Sequence, residues 1–151
     1  MHIRMLCRLA VSAALASLAI AAANAQDASP GGRPLHAELS GANEVPLAGD
    51  PNGTGYAVIR VNPGLGVVCY DISVENVDPI TGAHIHLGAA GVPGGILVSL
   101  PPSGGVISGC TDGVDRDLAK AIMKDPEAYY VNVHNPAFMA GAARGQLEKG
   151  F

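Results

Sequence analysis

Apolar and polar residues alternate with a period of two through most of this chain. In "LHAELSG", Leu35, Ala37 and Leu39 alternate with His36, Glu38 and Ser40, the pattern of a half-buried strand whose polar set, His36 included, faces solvent. The segments "TGYAVIRVN" and "LGVVCYDISVEN" flank a break at Pro63-Gly64 and are rich in β-branched residues. Both are too short between breakers for helices and predict a hairpin. Along the second, Val68, Tyr70, Ile72 and Val74 share a core face, and Cys69, Asp71, Ser73 and Glu75 share the less buried one. Further short apolar runs, "AHIHLG", "GGILVSLP" and "GVISGC", are divided by Gly and Pro and read as strands. The chain closes on "AYYVNVHN" and "GAARGQLE"; in the former, Tyr129, Val131 and Val133 face one way and Tyr130, Asn132 and His134 the other.

One stretch breaks the alternation. In "TDGVDRDLAKAIMKDP", Val114, Leu118 and Ile122 recur at helical spacing, Asp115 and Asp117 fall early, Lys120 and Lys124 late, and Pro126 follows. This predicts a single short helix near residues 113–124, with Thr111 or Asp112 as its N-cap. About seven short strands, many turns and one helix give the expected fold class: an all-β, antiparallel Greek-key β-sandwich.

The start of the chain changes the domain picture. Arg4 and Arg8 precede the Ala-rich apolar residues 10–23, and Ala23-Asn24-Ala25 forms a cleavage signal. Residues 1–25 therefore read as a secretory signal peptide cleaved after Ala25, leaving no membrane span and placing the protein in the periplasm or outside the cell. The alternative, an uncleaved anchor, is disfavoured by the short, Ala-dominated stretch. Residues 26–34, "QDASPGGRP", read as a flexible linker, and residues 35–149 as one domain. Cys7 leaves with the leader, so Cys69 and Cys110 remain and have one possible pairing in an oxidising compartment. Such a bridge could tie down a crossing loop. The formal net charge of −4 becomes more negative once Arg4 and Arg8 are removed. With no basic run elsewhere, nucleic acid is not an expected partner.

Candidate chemistry centres on "AHIHL". On a strand, His84 and His86 point to the same face about 6.5 to 7 Å apart, with Ala83, Ile85 and Leu87 behind. Together with His134 at the end of another strand they form a candidate three-histidine site for Cu or Zn. The other reading is that these histidines only hydrogen-bond and order the loops "GAAGVPGG" and "NPAFMAGA". Arg144, flanked by Gly141 and Gly145, could anchor a buried carboxylate, with Asp71 as one partner, or face an anion near the histidines. Ser99, Ser103 and Ser108 lie in no nucleophile elbow. Glu44, Asp50, Asp71, Asp78 and Asp112 read as solvated or capping turn residues rather than a catalytic pair. No catalytic residue is assigned.

Four motifs in order, "HAELSGANEVP", "GTGYAVIRV", "AHIHLGAAGVPGG" and "YVNVHNPAFMAGAARGQLE", resemble the CHRD (chordin-type) domain over nearly the whole span from Leu35 to Glu148. The resemblance implies a secreted β-sandwich module with no established catalytic activity, and it places His84, His86, His134 and Arg144 at matching motif positions. The last motif departs from the family's usual form, with Ala142 in place of an acidic residue. The order of the three histidines and late arginine is also similar to copper/zinc superoxide dismutase, without that enzyme's zinc-loop histidines; this is a fold-level analogy. The expected function is an exported CHRD-type module, non-enzymatic, with a binding or envelope role and an unknown protein or small ion as ligand. The alternative is a copper-binding protein using His84, His86 and His134, for copper handling or superoxide chemistry, with Arg144 near the open position.

Overall fold

The structure is a computed structural model that describes residues 31–150. Its strands are β1 (Arg33–Ser40), β2 (Thr54–Asn62), β3 (Val67–Glu75), β4 (Gly82–Leu87), β5 (Ile96–Ser99) and β6 (Ile107–Thr111), followed by helix α1 (Arg116–Lys124) and then β7 (Tyr129–His134), β8 (Ala143–Gln146) and β9 (Glu148–Lys149). The chain is all-β and antiparallel, with α1 its one α-helix among the described residues. The expected signal peptide lies outside the described residues. The expected linker starts the fold earlier than predicted: Arg33 and Pro34 already pair with Val61 and Arg60 of β2.

The strands are ordered β5-β4-β7-β8-β1-β2-β3-β6. The two halves of this ladder join narrowly, because β1 meets β8 through the single pair Ser40 and Arg144 and meets β9 through Leu35 and His36. That narrow seam lets the halves fold over one another as a sandwich nearly closed into a barrel. Leu35, Ala37, Leu39, Ala57, Ile59, Val61, Val68, Tyr70 and Ile72 from one half face Ala83, Ile85, Val131, Val133, Ala143 and Leu147 from the other. These are the alternating positions of the sequence pattern, so strand parity and core agree. The β3–β4, β5–β6 and β6–β7 connections each cross between the halves, as a Greek key requires.

Cys69 and Cys110 form a disulfide. They are direct register partners on β3 and β6, so the bridge joins two neighbouring strands rather than a crossing loop. Helix α1 begins later than predicted. Thr111 is still the last residue of β6, its hydroxyl donating to Ser99 O at 2.6 Å. The chain then turns through Gly113 at φ +72°. Asp115, not Thr111 or Asp112, is the N-cap, accepting from Asp117 N at 3.0 Å and Leu118 N at 2.8 Å. His36 is also less open than its strand parity suggests: β9 covers it, with Glu148 at 3.5 Å, and its ring stacks on Tyr56.

Among the described residues no helix is long and apolar enough to cross a membrane.

Candidate metal centre

The other departure from simple alternation is β7, where both faces are buried up to His134. Tyr129, Val131 and Val133 enter the apolar core, as their parity predicts. Tyr130 and Asn132 point away from it yet are only 4 % and 2 % exposed. Glycine-rich loops fold over this outer face and make a second, polar core. The loop at residues 88–95 is held by side chains from the strands below it: Arg144 Nη2 donates to Ala89 O and Val92 O, and Gln146 Nε2 to Gly88 O. The loop after β1 brings in Glu44, 6 % exposed. Gly49 and Gly141 permit this approach, since a Cβ at Gly141 would collide with the Glu44 carboxylate, and Gly141 has φ +150°.

Register assembles the histidines. β4 pairs with β7 so that Gly82 lies opposite His134, His84 opposite Asn132 and His86 opposite Tyr130. This places His134 beside His84, with their Nδ1 and Nε2 atoms 3.0 Å apart. One ligand atom from each of His84, His86 and His134 can be chosen so that all lie within 4.8 Å of one another. Two nitrogens on one ion at about 2.0 Å can be no more than about 4 Å apart, so the widest pair would have to close by roughly 1 Å for all three to share an ion.

The opposite ring nitrogens explain the orientation. His86 Nδ1 faces Gly94 O at 2.9 Å and His134 Nδ1 faces Met139 O at 3.1 Å. In His86 and His134, one ring nitrogen thus orders a loop while the other turns toward Asn132 and the neighbouring rings. A carbonyl partner on Nδ1 sets the tautomer of a neutral imidazole and leaves Nε2 with its lone pair, the usual support of a metal-bound histidine. His86 is further fixed by stacking on Tyr130 at 4.7 Å with 5° between the planes.

The surroundings disfavour protonation of two of the rings. His84 is pushed down to about 4, first by burial, then by the neighbouring His134 and His86. Burial likewise lowers His134, against the opposing hydrogen bond to Met139 O. His84 and His134 remain partly exposed, which provides a path to solvent, whereas His86 is buried.

Arg144 lies beside this cluster, as the register partner of Asn132, but it does not reach solvent. It is 1 % exposed, its guanidinium carbon sits 3.4 Å from the Tyr130 ring centroid, and burial lowers its pKa. It therefore cannot guide an anion from solution in the present conformation, and the superoxide dismutase analogy loses that element. Its carboxylate neighbour is Glu44 rather than Asp71, which is exposed on β3. Glu44 is raised to about 7 by burial, against the pull of Arg144 and hydrogen bonds from Val45 N and the Asn132 side chain. Glu44 Oε1 and Arg144 Nη1 are both buried without a hydrogen-bond partner.

In the sequence, Asn132 shares a face with His134 but carries no assigned role, and Glu44 reads as a solvated or capping turn residue rather than a member of a carboxylate pair. The parity of "VNVH" was the available signal for Asn132; nothing local marks Glu44. A family model described as CHRD domain matches residues 35–147. Neither the curated proteins nor the solved structures yield a match.

Proposed function

From a chain that belongs to the CHRD domain family, we propose an exported, non-enzymatic binding module whose ligand is a copper ion held by His84, His86 and His134. The observation that supports this reading is the pair of carbonyls on His86 Nδ1 and His134 Nδ1, which turn both Nε2 atoms inward, that of His134 to 3.0 Å from His84 Nδ1 and all three ligand atoms within 4.8 Å of one another. An all-imidazole set suits copper or zinc, and copper binds such sites more strongly among divalent first-row ions. Export follows from the leader pattern of residues 1–25 and agrees with the Cys69–Cys110 disulfide.

The test is the metal content of protein exported to a bacterial periplasm under copper supplementation and purified without chelator. Copper near one ion per chain is expected, with loss in His84→Ala and His134→Ala. Copper well below one ion per chain in the folded parent protein would overturn the reading.

A further inference from the structure

The polar core contains a fourth lone pair aimed at the same point. Asn132 Oδ1 lies 3.0 Å from His86 Nε2 and 3.0 Å from His134 Nε2. Gly94 O and Met139 O can only accept, so the ring proton of each histidine sits on Nδ1 and the Nε2 of such a tautomer carries no hydrogen to donate. An acceptor oxygen then faces two acceptor nitrogens at hydrogen-bond distance, an arrangement that repels unless a cation lies between them. Turning the amide over would remove the repulsion by presenting Nδ2. That rotation is opposed from behind, because the Glu44 carboxylate takes a hydrogen bond from the Asn132 side chain and would meet Oδ1 instead. Glu44 cannot retreat easily: Gly49 and Gly141 close over it, and the Arg144 guanidinium attracts it.

Building on the three-histidine reading, we infer that Asn132 is the fourth donor, its Oδ1 joining His84 Nδ1, His86 Nε2 and His134 Nε2 around one ion. Glu44 and Arg144 are positioning residues that hold the amide with its oxygen forward. An amide or backbone oxygen as a weak additional ligand beside imidazoles is an arrangement that copper accepts. The consequence is a shell of four protein atoms with no position reserved for water, which suits retention of a cation rather than turnover at an open site.

The experiment uses the exported, disulfide-intact protein with Cu²⁺ or Co²⁺ alone as the probe. Copper affinity is measured by competition titration for the parent, Asn132→Ala and Asn132→Asp. Asn132→Ala should weaken copper by roughly tenfold or more, while Asn132→Asp, which keeps an oxygen in place, should stay within a few-fold of the parent or bind more tightly. The visible spectrum of the Co²⁺ form adds a readout that a merely structural role would not move. It should be constant from pH 8 to 9.5 in the parent, above the range in which Glu44 changes charge. In Asn132→Ala it should shift with pH, as water enters the vacated position and loses a proton.

Tight binding by the parent with unchanged copper affinity in folded Asn132→Ala would overturn the inference and leave the three-histidine site standing. So would a Co²⁺ spectrum in the parent that depends on pH over that range, even if the alanine variant failed to fold. No binding by the folded parent would overturn both.

Discussion

Replacing Glu44 with Gln tests whether the polar core is electrostatically what its geometry implies. Glu44 is buried, and its carboxyl is raised from 4.5 to about 7, chiefly by burial. A carboxyl raised on folding stabilises the native state below its unfolded value, and that contribution is lost as the pH rises through the folded value. Across pH 4.5 to about 7 the loss amounts to about 3 kcal/mol. His84 acts in the opposite sense. Its value falls from 6.5 to about 4 on folding, so its contribution is present above pH 6.5 and is lost as the pH falls through 4. It is the smaller of the two once the ring's partial exposure is allowed for. In the parent the two slopes oppose each other and the stability profile between pH 4.5 and 7 is shallow. Gln has no carboxyl to ionise, so Glu44→Gln should leave the histidine slope uncompensated. Its stability relative to the parent should rise by about 3 kcal/mol between pH 4.5 and 8, a large share of a typical domain's total. Urea unfolding at a series of pH values, followed by tyrosine fluorescence or circular dichroism with EDTA present, measures this directly. Parallel profiles for the two proteins would refute the buried, raised carboxyl and the arrangement of Arg144 and Asn132 around it.

The remaining predictions concern the scaffold. Reducing the Cys69–Cys110 bridge, or replacing both residues with Ser, should lower stability by about 4 kcal/mol, given the 41-residue sequence separation it closes; urea midpoints with and without reductant check this. Asp115→Ala removes the side chain that caps Asp117 N and Leu118 N and should cost about 1 kcal/mol. Thr111→Ala and Asp112→Ala provide the contrast in the same unfolding assay, since a comparable capping loss at Asp112 would contradict the observed helix start.

Strand content was legible because a strand's signal is local. Leu35, Ala37 and Leu39, or Val131 and Val133, announce their inward face by alternation alone, and the core contains them. The second polar core was not legible, since the same alternation marks Tyr130 and Asn132 as outward-facing without saying what covers that face. The cover comes from the loops at residues 88–95 and after β1, whose glycines admit a close backbone approach. Likewise, Thr111 and Asp112 carry good capping chemistry, but the pairing of β6 with β3 retains Thr111 in a strand and delays the helix to Asp115.

By itself the sequence determined the all-β class, the single helix, the lone cysteine pair in the domain and the shared face of His84 and His86. Each follows from composition or from side-chain spacing within one segment. Only the tertiary structure decided that His134 comes to His84, that Asn132 lies between the rings and that Glu44 and Arg144 stand behind it. Those neighbours depend on the β4–β7–β8 register and on where distant loops close, and both are settled by packing the whole chain rather than by any local periodicity.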